Sequence, residues 1–229
     1  MIQGEGSVTR RSLKTPRAAA VAGILFALLY GTGLALIRLS IPDQNAAGGG
    51  AWLATSAGTI AFALNLVPYA GIAFLWFIGV IRDRLGDLED RFIATVFLGS
   101  GLLFLALTFV GAALAGALLT SYADAGEALG SGVLTYGRAV MFQIINVYAI
   151  RMAGVFMLSL GTLWLRTGLM HRAWAFVTYA LALALLVSIS ISLWVTLIFP
   201  AWVLAVSIFL LIQTKRDHPA GAAVEKGAA

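Results

Sequence analysis

The chain has 229 residues, of which 61% are hydrophobic and 11% are charged, and its mean hydropathy is +0.95. Soluble domains average roughly 45–50% apolar and about 25% charged residues, so this composition excludes an ordinary water-soluble domain. The absence of cysteine excludes disulfides, thiolate nucleophiles and cysteine-ligated metals. The net charge is +5, and the basic residues are concentrated on one side of the predicted membrane topology. Membrane topology therefore explains the positive charge, and no nucleic-acid partner is predicted.

Residues 1–17 precede the first apolar run and are polar and basic. We expect a disordered cytoplasmic tail whose charges bind anionic lipid headgroups through Arg10, Arg11, Lys14 and Arg17. The stretch 9–14 is similar to a twin-arginine export signal. The apolar run that follows exceeds the about 7–15 residues of a signal sequence, so a retained first helix is predicted.

The rest of the chain predicts a single all-α domain, an integral membrane bundle of about six transmembrane helices. A hydrocarbon core about 30 Å thick requires about 20 apolar residues per crossing. The predicted spans within 18–214 are 18–41, 53–81, 92–121, 136–165, 173–192 and 194–214, and residues 215–229 form a disordered cytoplasmic tail. The turn between the last two spans falls near Ser188, Ser190 and Ser192 or at Phe199-Pro200.

The orientation follows from Lys and Arg, which concentrate in cytoplasmic segments of membrane proteins. Only Arg38 and Arg138 fall on the side of the predicted external loops, 42–52 and 122–135. The positive-inside rule therefore predicts a multi-pass protein of the cell membrane, such as a bacterial inner membrane, with both termini cytoplasmic. Tryptophans support this topology because they prefer the interfaces: Trp52, Trp194 and Trp202 fall near external ends, and Trp76, Trp164 and Trp174 near cytoplasmic ends.

Acidic residues and histidines are missing from every predicted span, and His171 and His218 lie at the cytoplasmic surface. Proton-coupled carriers, haem sites and zinc sites depend on such groups inside the membrane. We therefore expect no metal, no cofactor and no enzymatic activity.

Arg151 is the most unusual residue of the predicted spans. Arg138 and Arg166 bracket it on the fourth helix, and 28 residues at 1.5 Å separate the two by ~42 Å, which places Arg151 near the bilayer midplane. An arginine there costs about 2.5–3.5 kcal/mol, so it should face the protein interior. With regular α-helical spacing, Arg151 and Asn146 flank an inward seam of Gln143, Val147, Ile150, Gly154 and Gly161.

Two interpretations of Arg151 remain open. It can snorkel or donate to carbonyl, Asn and Tyr oxygens of neighbouring helices. Alternatively, its counter-ion is a ligand, such as an anionic solute or a lipid phosphate held by the guanidinium in bidentate fashion, or a carboxylate of a partner subunit.

Asn65 and Tyr69 share a face of the second helix with small side chains, and Pro68 interrupts the backbone ladder beside them. Asn65 is predicted at a depth similar to that of Arg151, so the two could line one cavity. The alternative is that Asn65 and Tyr69 form interhelical hydrogen bonds, worth about 1 kcal/mol.

The segment 79–86, Gly-Val-Ile-Arg-Asp-Arg-Leu-Gly, resembles the loop between helices two and three of major facilitator transporters. Gly79, Asp83, Arg84 and Gly86 match. The family continues with basic residues where Asp87 and Leu88 follow here, and it has twelve helices, twice the number predicted.

The sequence thus predicts a non-enzymatic membrane protein: a small carrier, a lipid-binding protein, or a subunit of a homo-oligomer or larger assembly. One alternative is a transporter of an anionic or amphipathic solute through a cavity lined by Arg151, Gln143, Asn146, Asn65 and Tyr69. Another is an intramembrane enzyme.

Overall fold

A computed structural model describes residues 15–40, 51–85, 91–126, 130–168, 170–187 and 193–216. All regular structure in these ranges is helical, and five of the helices are long and apolar enough to cross a membrane. The prediction of an all-helical chain with several membrane-length helices is confirmed at this level. The described residues are those of a multi-pass membrane protein by length and composition.

Three long helices form the first half of the chain, α1 (Thr15–Ser40), α2 (Ala51–Leu85) and α3 (Arg91–Ala125). Pro16 suits the first turn of α1, where a missing N–H costs nothing. Pro68 lies inside α2, and Gly126 follows α3 with a φ of 55° that favours glycine. The helices α2 and α3 extend past their predicted ends, so the expected loops 82–91 and 122–135 are shorter than predicted.

The fourth predicted span, 136–165, belongs to one longer rod. It consists of α4 (Ser131–Phe142), a π-helical segment (Gln143–Ala149) and α5 (Ile150–Thr167). Gly168 ends α5 in the left-handed conformation, and its N–H donates to the Trp164 carbonyl at 3.0 Å. The π segment was not predicted, because its wider turn depends on packing rather than on the local residue pattern.

The last part of the chain contains α6 (Arg172–Val187), a 3₁₀ turn (Leu193–Leu197) and α7 (Ile198–Arg216). The described part of the predicted helix 173–192 is α6, whose 16 residues span about 24 Å, less than the hydrocarbon thickness. Pro200 lies in the first turn of α7 and does not mark a turn between helices. The alternative turn at Ser188, Ser190 and Ser192 lies outside the described residues.

The helices pack as a closed series in which α6 contacts α5, α5 contacts α3, α3 contacts α2, α2 contacts α1, α1 contacts α7 and α7 contacts α6. Their inner faces enclose a buried cluster of aromatic rings: Phe26, Phe74, Phe97, Phe104, Phe156, Phe199 and Trp202. The Trp164 and Trp202 rings are 5.9 Å apart, and both are buried. The interpretation of these two residues as markers of opposite membrane surfaces was wrong, because they pack against each other in the core.

Candidate functional site

A cavity of about 200 Å³ lies between α1, α2, α3 and α4, beyond the aromatic cluster. Its walls are mostly apolar, with Leu34 and Ile37 on α1 and Ile60, Leu64 and Val67 on α2. Arg38, Arg138 and Asn146 supply the main polar groups. The described lining contains no carboxylate, so the cavity combines apolar walls with positive charge.

The void exists because small residues face it from two helices. Gly33 on α1 and Gly111, Ala112 and Ala115 on α3 contribute little side-chain volume. Gly111 also permits the π segment to approach α3 closely, since a Cβ at this position would lie 2.5 Å from Cγ1 of Ile145. Any larger residue would force the Ile145 side chain or the π segment to move.

Arg38 is the central polar residue of the cavity. It lies in the last turn of α1, and its Nη2 donates to Oδ1 of Asn146 at 2.5 Å. Its Nε is buried and has no hydrogen-bond partner in the part of the chain that the structure describes. A guanidinium in contact with a neutral amide, with one buried donor unused, has capacity for an anion.

The π segment sets the position of Asn146. Nδ2 of Asn146 donates to the Phe142 carbonyl at 3.1 Å, which turns the amide oxygen toward Arg38. The N–H of Ile150 reaches back five residues to the Ile145 carbonyl, the bonding pattern of a π turn. Such turns occur often at functional sites, and this one presents a side chain to the cavity.

Two further polar groups lie on the inner side of the cavity. Tyr30 is buried, and its hydroxyl group hydrogen-bonds Thr108. Thr108 in turn donates to the Phe104 carbonyl at 2.8 Å. Trp194, which is half-exposed, also borders the cavity. The inner polar groups are therefore satisfied within the protein, unlike Nε of Arg38.

The structure separates the residues that the sequence grouped around Arg151. Asn146 lines the cavity, whereas Gln143 and Asn65 are exposed and Tyr69 is 65% exposed on the outer surface of α2. Arg151 is half-buried and does not line the cavity, and no described residue hydrogen-bonds it. The predicted seam assumed α-helical spacing through Gln143–Ala149, and the π segment alters that spacing.

Arg38 was assigned from sequence to the external side only as a topology marker. A signal was nevertheless present, since Phe26, Tyr30, Leu34 and Arg38 follow at spacings of four and form one helix face. That face leads from the core to the guanidinium. Of the predicted headgroup contacts, Arg10, Arg11 and Lys14 lie outside the described residues, and only the backbone of Arg17 is described.

The described residues contain no group of three or more His, Cys, Asp or Glu residues that could hold a metal ion. Comparison of the chain with protein-family models, with curated proteins and with solved structures finds no match. The resemblance of 79–86 to major facilitator transporters is therefore confined to that segment, most of which is the helical end of α2.

Proposed function

We propose that this chain is a cell-membrane protein that binds a single-chain amphipathic anion, with its anionic head on Arg38, and that its role is binding rather than catalysis. The observation that carries the proposal is the buried, unpartnered Nε of Arg38 in a largely apolar cavity. A charged group away from water is costly unless it is paired, so a site of this kind favours an anion.

The chemistry of the cavity selects the ligand class. Nε and one Nη of an arginine form the planar fork that holds a carboxylate or phosphate in two places. Arg138 adds a second positive charge to the lining. The surrounding leucine, isoleucine and valine side chains favour an alkyl chain over a fully hydrophilic anion. A cavity of about 200 Å³ exceeds the roughly 150 Å³ of an apolar cavity that holds benzene, so it accommodates a segment of an alkyl chain.

The distribution of basic residues supports a topology with both termini cytoplasmic and six membrane-embedded helices, α6 being the short one. Three pairs of residues are each separated by 20 positions in the sequence: Ala18 and Arg38, Arg91 and Gly111, and Arg166 and Asn146. At 1.5 Å per residue each interval spans about 30 Å, one hydrocarbon thickness. These three spacings support a position of the cavity at the outer boundary of the bilayer, where an amphiphile can present its head to the protein.

The topology is tested by single cysteines in this cysteine-free chain. Ala125→Cys should react with an impermeant maleimide on intact cells, and Gly86→Cys only after permeabilisation. The reverse pattern would invert the proposed orientation.

Ligand binding is tested by thermal unfolding of the protein in nanodiscs of zwitterionic lipid, with decanoate, decyl phosphate, decanol or inorganic phosphate added. A ligand at about 100 times its Kd stabilises by about 2.7 kcal/mol, which raises the Tm of a chain this size by about 5–10 °C. We expect this shift with the two decyl anions only. Decanol lacks the charge, and phosphate lacks the chain.

The matched variants are Arg38→Gln and Arg151→Gln, which each remove one membrane-embedded guanidinium. We expect Arg38→Gln to abolish the ligand-induced shift, Arg38→Lys to retain part of it, and Arg151→Gln to retain all of it, because Arg151 lies outside the cavity. Loss of the shift in Arg151→Gln alone would favour the site predicted from sequence. Equal shifts in wild type and both variants would refute an arginine-bound anion.

Transport of the same amphiphile is a second candidate function, supported by the π segment in the cavity wall. Conversion of Gln143–Ala149 to regular α-helix would move Asn146 away from Arg38 and change the wall on the α4 side. Efflux of a fluorescent fatty acid from proteoliposomes would distinguish a carrier from a protein that only binds its ligand.

A further inference from the structure

The outward face of α2 carries a continuous heptad pattern that the rest of the described chain leaves uncovered. Residues at alternating spacings of four and three are all exposed: Gly58, Phe62, Asn65, Tyr69, Ile72, Trp76 and Gly79. This spacing is the a/d pattern of helices that pack side by side, in soluble coiled coils and in membranes alike. We call these seven residues the α2 seam.

Two polar groups occupy the centre of the α2 seam. Tyr69 is 14 residues from each end of the membrane-length segment Thr55–Asp83, and Asn65 is one turn away. Neither side chain has a hydrogen-bond partner among the described residues. Lipid chains offer no donor or acceptor, so an amide at this depth is costly unless another polypeptide pairs with it.

The shape of the α2 seam also matches a helix. Phe62, Tyr69 and Trp76 project as large rings, while Gly58 and Gly79 leave open space with no atom within 4 Å of a Cβ built on them. Alternation of large and small residues forms knobs and holes. The opposite face of α2, which includes Ile60, Leu64 and Val67, lines the cavity, so occupancy of the α2 seam leaves the cavity intact.

We propose that the α2 seam is the interface of a parallel homodimer in which α2 packs against α2 of a second copy. An asparagine amide contains both a donor and an acceptor, so two copies of Asn65 related by a twofold axis satisfy each other. All copies share one orientation in a membrane, which makes the two α2 helices parallel and brings identical residues face to face. The second copy is therefore the occupant whose chemistry this surface matches.

Cross-linking tests the geometry directly. Ile72 lies on the α2 seam, and its side chain is 52% exposed. Leu103 lies on the outer face of α3 and is 53% exposed, so Leu103→Cys is a matched control for Ile72→Cys. Under mild oxidation in native membranes, Ile72→Cys should form a disulfide-linked dimer and Leu103→Cys should not, since a disulfide requires Cα atoms within about 7 Å. Equal yields at the two positions, or no dimer at either, would overturn the proposal.

The role of Asn65 is tested by the dimer fraction of labelled full-length protein in lipid vesicles, measured by single-molecule photobleaching. Asn65→Leu should weaken dimerisation about three- to thirty-fold, the range for one interhelical hydrogen bond in a membrane, and Asn65→Gln should restore part of it. Gln143→Leu removes an exposed amide elsewhere and should leave the dimer fraction unchanged. An unchanged dimer fraction in Asn65→Leu would refute the Asn65 contact at the interface, and a cross-link from Ile72→Cys to a different polypeptide would exclude the homodimer.

Discussion

The aromatic core and the Arg38 cavity are built by the same helices, yet side chains fill the first and leave a cavity in the second. In the core, Phe74 lies within 6.3 Å, centroid to centroid, of five other rings. Farther along α1 and α3, the residues that point inward have small side chains or none: Gly33, Gly111, Ala112 and Ala115. The void therefore reflects side-chain size along continuous helices and not a change of fold.

The two regions also differ in the polar groups that the described chain leaves unsatisfied, which are the small neutral hydroxyl of Ser207 in the core and a guanidinium donor in the cavity. Trp202 donates to Thr178 at 3.0 Å, and the hydroxyl groups of Thr162 and Tyr179 are 2.8 Å apart. Arg38 keeps a buried donor without a partner in the described chain. A protein can retain an unsatisfied group where a ligand completes it, which is why the cavity, and not the core, is the candidate site.

The largest expected effect is on the core. Phe74→Ala should lower the free energy of unfolding by about 2–4 kcal/mol, because the ring leaves a cavity among five aromatic neighbours while lipid supplies little transfer energy. Reversible unfolding in mixed micelles measures the loss. Phe142→Ala, at the edge of the existing cavity, should cost less than half as much. Equal losses would show that the cavity is as tightly packed as the core.

A smaller effect is expected where α1 meets α7. A Cβ on Gly23 would lie 1.9 Å from Oγ of Ser207, so Gly23→Ala should destabilise by about 1–3 kcal/mol. Oγ of Ser207 is buried without a partner in the described chain, so Ser207→Ala alone should be neutral or stabilising. The double variant should recover part of the loss in the same unfolding assay, because the Phe77 ring, 2.8 Å from the added Cβ, remains. Simple additivity would show that these two residues do not clash.

The smallest effect on stability is expected from filling the cavity. Ala112→Leu places three more carbons in a space that the side chains leave unfilled, so the free energy of unfolding should change by less than about 1 kcal/mol. Binding of decanoate should nevertheless be lost, because the added side chain occupies the place of the alkyl chain. Retained binding, measured as the ligand-induced shift in Tm, would place the ligand elsewhere.

Much of the helical organisation could be predicted because each membrane-crossing segment is recognisable from its own residues. In lipid, the backbone N–H and C=O groups of an uncharged run of about 20 residues must hydrogen-bond to one another, and they do so in a helix. The helix ends were less predictable. The loop expected at 122–135 is largely the end of α3 and the start of α4, since helices extend past the apolar run wherever side chains permit.

The candidate site was predicted only in part. Asn146 was named, but Asn65 and Tyr69 were assigned to the interior and lie on the outer face of α2. Small and polar residues suit both a cavity wall and a helix interface, so their pattern does not distinguish the inside of one chain from the contact between two. Burial settles which face points inward.

The sequence by itself determined the helical class, the membrane-length segments and the asymmetry of basic residues, because hydropathy and charge are properties of each segment alone. Tertiary structure decided which arginine meets a polar partner inside the protein. Arg38 and Asn146 are 108 residues apart, and their contact depends on the turn of the π segment and on Gly111, which admits that segment against α3. Contacts of this kind depend on packing between helices, which no single segment encodes.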